Sequence, residues 1–264
     1  MKICSHKLDA YLTKRTGPTR RRATIPISFH AVAFDLDGTL VDSAPDLQAH
    51  VNSVLDEVGR PGLDLEEVRL LVGEGARTLI RRGLEATGGV PPEVDLDLLF
   101  ARFLERYTAR PAERTTVHQG VVAVLRELRA QGVRLGVCTN KAQAPTERLL
   151  AALGLERWFD AVVGGDAVPA KKPDPGHLRA VLERLGVATP ERAAMVGDSA
   201  HDLQAAQGLG VPCVLVSFGY TPVPARRLGA ERVIDRFAEL PAALASLGEA
   251  AAPEGSFIRC RATP

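Results

Sequence analysis

Short apolar runs rich in β-branched residues recur along the chain and alternate with stretches of helical periodicity. "AVAF" at 31–34 is the first. "VRLGVCTN" at 133–140 follows the helix-like "GVVAVLRELRAQG", and "FDAVVGGD" at 159–166 follows "APTERLLAALGLERW". "AAMVGDS" at 193–199 follows "PGHLRAVLERLGV", and "VPCVLVSFG" at 211–219 follows "AHDLQAAQGLG". "RVID" at 232–235 precedes "FAELPAALASL". Runs that are apolar throughout suit strands covered on both faces. The repeated strand–helix alternation predicts an α/β fold: a doubly wound parallel sheet of about six strands, a Rossmann-like core.

One segment breaks the rhythm. Residues 44–112 carry no strand pattern, only helical ones: "APDLQAHVNSVLDEVG", "LEEVRLLVG", "ARTLIRRGLEATGG" and "EVDLDLLFARFLERYTAR". They read as a small α-helical domain of about 70 residues inserted after the first strand. The α/β core is then 29–43 plus 113–248, with Arg110-Pro111 and the polar stretch after it as the return hinge.

Composition adds limits. The chain has 264 residues, enough for a core and a smaller domain, with 45% hydrophobic and 25% charged residues. A formal net charge of +1 argues against a general nucleic-acid surface, and no apolar run approaches a membrane span. The four cysteines, Cys4, Cys138, Cys213 and Cys260, are scattered and read as reduced thiols of a cytoplasmic protein. Residues 1–28 are basic, with Asp9 the lone acid, and lack the apolar middle of a secretory signal. They read as a disordered tail or an upstream extension, with an Arg-rich transit peptide as the alternative. Residues 249–264 read as a loose tail, and monomer or dimer stays open.

In open α/β sheets ligands bind at the carboxyl ends of the strands. Four such ends carry distinctive polar residues: Asp35-Leu36-Asp37-Gly38-Thr39, Cys138-Thr139-Asn140-Lys141, Gly165-Asp166 and Gly197-Asp198-Ser199. Two carboxylates at the tip of a buried strand need something positive: a divalent cation, a lysine-held phosphate or a shared proton. The alternative is a pair of solvated aspartates in an ordinary turn. Asp35 can serve as a nucleophile toward a phosphate monoester once desolvated and aligned. Asp37 can protonate the leaving oxygen and then act as base for water. Gly38 lets the backbone approach phosphoryl oxygens. Asp198 with Asp35 suits Mg2+ through oxygen ligands. Asp202 is either an outer ligand or a helix-start residue. Thr139 and Asn140 can bind phosphate oxygens or cap the next helix. In "AKKPDP" Lys172 can act as a point charge for the phosphoryl group, with Lys171 solvated.

These residues resemble the haloacid dehalogenase superfamily of phosphatases. "DLDGT" matches its D-x-D-x-T motif at Asp35, Asp37 and Thr39, and "VCTN" its strand-end motif at Thr139. "KKPDP" matches its lysine motif at Lys172, and "GDSAHD" its metal motif at Asp198 and Asp202. The resemblance implies a helical cap, an aspartyl-phosphate on Asp35, and Asp37 holding Mg2+ through its backbone carbonyl while its side chain is acid and base. Asp37 argues against the dehalogenase branch, which lacks the second acid. "LVDSAPDL", "VGEGARTLI" and "VGDSAHDLQAAQGLGVPCVLVSFGYTP" are further similar to bacterial phosphoglycolate phosphatases. That similarity implies a small phosphorylated acid, 2-phosphoglycolate, as substrate. Arg77 and Arg81, one helical turn apart, are then candidates to pair with its carboxylate. A sugar phosphate, a pyrophosphate or a phosphomutase reaction are the alternatives.

Overall fold

The computed structural model of the chain describes residues 25–250. The tail expected at the N-terminus lies outside the described residues up to 24, as does the C-terminal one from 251. In chain order the strands are β1 (Ala31–Phe34), β2 (Val41–Asp42), β3 (Thr116–Val117), β4 (Arg134–Cys138), β5 (Ala161–Val163), β6 (Ala193–Gly197), β7 (Cys213–Val216) and β8 (Arg232–Ile234). The α-helices are α1 (Ala44–Glu57), α2 (Leu65–Leu71), α3 (Ala76–Ala86), α4 (Leu96–Ala109), α5 (Val121–Ala130), α6 (Gln143–Ala152), α7 (Pro175–Arg184), α8 (Ala200–Gln207) and α9 (Leu240–Ala250).

The six expected strands form one parallel sheet in the order β5-β4-β1-β6-β7-β8. Alternate residues feed two cores, because successive side chains of a strand point to opposite faces. Val32, Phe34, Leu135, Val137, Val196 and Val214 meet apolar side chains of α5, α6 and α9 on one face. Ala31, Ala33, Met195, Cys213 and Leu215 meet α7 and α8 on the other. The second face is lined by small residues where α7 crosses it. At Gly136 an added Cβ would lie 2.6 Å from Val181, so only glycine admits the helix that closely. Cys138 and Cys213 are both buried and free.

Between β1 and α5 the chain makes the four-helix insertion. Leu47, Val51, Leu55, Leu79, Ile80, Leu84, Phe103 and Tyr107 give it a core of its own. Asp64 starts α2 with a reciprocal capping box to Glu67, and Asp95 caps α4 by accepting from Asp97 N and Leu98 N. The two chain crossings between insertion and sheet are tied together. β2 pairs antiparallel with β3, Val41 opposite Val117. Buried Asp46 in the first turn of α1 accepts from Thr115 N at 2.8 Å, Thr115 Oγ1 at 2.6 Å and Arg114 N at 3.0 Å. The return segment after Arg110-Pro111 is therefore paired and clamped at residues 114–117.

Candidate active site

β1 sits mid-sheet between β4 and β6, so its tip is flanked by theirs. This brings Asp35, Thr139 and Asp198 to one edge, and each is buried. The turn after β1 is tight. Gly38 has φ +82°, and a Cβ there would lie 2.5 Å from Asp198 Oδ2. Glycine is required so that the Asp198 carboxylate can fit against the turn. The Gly38 N–H donates to Val41 O at 2.9 Å. Gly38 thus lets the turn close against Asp198, with its own N–H taken up inside the turn.

Lys172, 2% exposed, closes the site from the loop before α7. Its Nζ lies 3.0 Å from Asp35 Oδ1 and 2.6 Å from Asp202 Oδ1. The loop is fixed by His177, in the first turn of α7, whose Nδ1 accepts from Lys172 N at 3.2 Å. Burial and the Lys172 charge hold His177 down at about 4, so it stays a neutral acceptor there. Asp202 Oδ2 accepts from Ser199 Oγ at 2.7 Å, Ser199 N at 3.0 Å and Asp198 N at 3.2 Å. Both oxygens of Asp202 are engaged, so it orients Lys172 and the Asp198 turn. Asp198 Oδ2 accepts from Tyr220 N at 2.6 Å.

Asp35, Asp198 and Asp202 bring carboxylate oxygens within 4.8 Å of one another, with the Lys172 ammonium bridging two of them. Three buried acids against one buried base leave excess negative charge. Burial pushes Asp35 up to about 7, with Lys172 opposing and the Asp202 charge adding to the rise. Burial, then Asp202 and Asp35, raise Asp198 well above the usual carboxylate range. Lys172 is raised in turn, because Asp202 and Asp35 outweigh its burial. An all-oxygen cluster with unbalanced charge fits a hard divalent cation.

Asp37 lines the same cavity but is held by a different set of partners. Its Oδ1 accepts from Ser43 Oγ at 2.6 Å, and Lys141 Nζ reaches Oδ1 at 3.0 Å and Oδ2 at 2.9 Å. Tyr220 braces this side: its hydroxyl accepts from Ser43 N at 2.8 Å and Ala44 N at 3.0 Å and donates to Asp42 at 2.6 Å. Those two N–H groups open α1 and have no partner within the helix. Lys141, Ser43 and Tyr220 were not singled out as site residues from sequence. A lysine directly after the Thr139-Asn140 strand tip was the available signal for the first.

A cavity of about 250 Å³ opens between the sheet edge and the insertion. Asp35, Asp37, Thr139, Asn140 and Lys141 line it from the core, and Leu79, Phe100, Phe103 and Tyr107 from the insertion. Thr139 Oγ1 accepts from Lys141 N at 3.2 Å, which leaves its proton free for a ligand. The Asn140 side chain does something other than expected. Its Nδ2 donates to Gly73 O at 2.8 Å and Lys172 O at 2.9 Å, so it links the insertion to the lysine loop and has no side-chain proton left for phosphate. Arg77 lines the cavity but its guanidinium pairs with Asp97. Arg81 is absent from the lining and sits 4.0 Å from Glu85 on the exposed side of α3. The structure therefore separates the two arginines. Lys171 is exposed and donates to Glu74 O of the insertion.

A family model described as haloacid dehalogenase-like hydrolase matches residues 32–216. A phosphoglycolate phosphatase from Caulobacter vibrioides is 45% identical over 216 residues, 82% of this chain and 91% of that protein. A solved structure described as a predicted phosphoglycolate phosphatase from Haemophilus somnus gives a TM-score of 0.77 at 30% identity, covering 81% of this chain and 96% of that one. CbbY from Rhodobacter sphaeroides, solved in complex with phosphate, gives 0.71 at 32% identity, covering 82% and 99%. With four motifs gathered at one sheet edge and this likeness across most of its length, the chain belongs to the haloacid dehalogenase-like hydrolases.

Proposed function

We propose that the chain is a magnesium-dependent phosphomonoester hydrolase that works through an aspartyl-phosphate on Asp35 and converts 2-phosphoglycolate to glycolate and phosphate. One observation carries the reading. Asp35 is held by Lys172 in a buried acidic cluster at the wall of a cavity, with Asp37 two residues on in the same lining. The relatives named phosphoglycolate phosphatase and the small cavity support the substrate.

The hydrogen bonds on Asp35 fall on Oδ1, from Leu36 N at 2.7 Å and Lys172. That leaves Oδ2 as the attacking atom. It forms a bond to phosphorus as the ester P–O bond breaks, and Asp37 gives a proton to the leaving glycolate oxygen. Asp37 then takes a proton from water, which attacks the same phosphorus and frees Asp35. Lys172 and the Thr139 hydroxyl hold the phosphoryl oxygens in line. Asp35, Asp198 and the Asp37 carbonyl would hold Mg2+, which would offset repulsion between the carboxylates and the phosphate. The helical insertion acts as the cap over this chemistry, and the buried free thiols suit a cytoplasmic enzyme.

The test is phosphate release from 2-phosphoglycolate, ethyl phosphate, sugar phosphates and pyrophosphate, each with Mg2+ and with a chelator. Turnover is expected to vanish with chelator, to return with Mg2+ and to be fastest on 2-phosphoglycolate. Magnesium-dependent release fastest on a sugar phosphate would keep the mechanism and discard the substrate.

A further inference from the structure

The catalytic scheme uses Lys172 for the acid cluster but gives no part to the second buried lysine. Lys141 is 7% exposed at its side chain, lines the same cavity as Asp35, and pairs with Asp37. Its Nζ sits 4.6 Å from the centroid of the Tyr107 ring. Asp37 takes two of its three N–H directions. Tyr107, on α4, is 1% exposed and also lines the cavity. Its hydroxyl proton has no acceptor among the described residues, since the nearby Lys141 ammonium can only donate. A buried hydroxyl proton without an acceptor is costly, so a group placed to receive it is favoured. Burial keeps that proton on, at about 12.

The other cations of the lining are otherwise engaged: Arg77 with Asp97, and Lys171 with a backbone carbonyl. Around the pair stand Leu79, Phe100 and Phe103, an apolar wall that strengthens any charge contact made inside it.

We propose that Lys141 and Tyr107 together form the subsite for the part of the substrate that is not transferred, gripping its carboxylate by an ammonium N–H and the phenolic O–H. This rests on the phosphatase reading above and deepens it, since it moves acid recognition from the cap arginines to a lysine of the core and a tyrosine of the insertion. The cavity, about 250 Å³, has room for a short acid.

The experiment compares kcat/KM for 2-phosphoglycolate and ethyl phosphate, which replaces the carboxylate with a methyl group. Lys141→Gln is expected to cut the ratio of the two by about 30-fold, mostly through KM for 2-phosphoglycolate, and Tyr107→Phe by about 5-fold. Tyr107→Phe removes only the hydroxyl and keeps the packing, so it reads the subsite even where Lys141→Gln fails to fold. Equal losses on both substrates would assign Lys141 to holding Asp37 alone and overturn the subsite. So would a wild-type preference for 2-phosphoglycolate that both variants keep. A wild-type protein that treats the two substrates alike would instead overturn the substrate reading itself, and the carboxylate subsite with it.

Discussion

Asp35→Asn removes at least about 10⁴-fold of kcat on every phosphomonoester the protein accepts, yet leaves the fold as stable as before or more so. An amide cannot form the acyl phosphate, and water cannot replace a nucleophile fixed against the phosphate. The stability half follows from the charge cluster. Asp35 shares a buried site with Asp198 and Asp202, and burial outweighs Lys172 in raising it to about 7. A carboxyl raised on folding costs stability wherever it is ionised in the unfolded chain, from about its ordinary value upward. Asparagine removes one of three clustered negative charges and leaves Lys172 paired with Asp202. Steady-state kinetics and thermal unfolding in chelator, at neutral pH, check both halves. Activity within tenfold of wild type would contradict the assignment of the nucleophile.

Lys172→Met gives the opposite pattern: a loss of about 10³-fold in rate together with a clear loss of stability. The ammonium is the cation bridging Asp35 and Asp202. Methionine fills similar space, so the packing of the loop before α7 changes little, but the acids lose their counter-charge. Breaking a buried pair by deleting one partner costs about 3–5 kcal/mol, which lowers Tm by roughly 10 °C in a protein of this size. The loss is largest in chelator, because an added divalent cation takes up part of the excess negative charge. A Lys172→Met protein with wild-type Tm in chelator would show that the cluster is not charge-limited. The two variants together separate chemistry from electrostatics, since both are inactive while their stabilities move apart.

The sheet was legible because β1, β6 and β7 are covered on both faces, so their residues are buried and apolar throughout and a charge can stand only at the tip. That places Asp35, Thr139 and Asp198 at one edge before any side chain is positioned. β2 and β3 were not legible, since two-residue strands carry no period. The use of Asn140 was hidden for a different reason. Its amide suits a phosphate or a backbone carbonyl equally, and only the fold brings Gly73 and Lys172 to it. Arg77 and Arg81 share a helix face by spacing, but long side chains follow their nearest carboxylate, Asp97 for one and Glu85 for the other. Tyr107 carries no sequence signal of its own, and Lys141 stands in the sequence only as one polar residue of a strand tip. Their meeting depends on how the insertion packs on the core, which no local pattern records.

The measurement that bears most directly on the central claim is an acid quench during turnover of ³²P-labelled 2-phosphoglycolate with Mg2+, followed by mapping of labelled peptides. Covalent label that is released by hydroxylamine and lies on the peptide containing Asp35 is the expected result. Rapid phosphate release with no label on the protein at any quench time would mean direct attack by water, and would contradict Asp35 as the nucleophile.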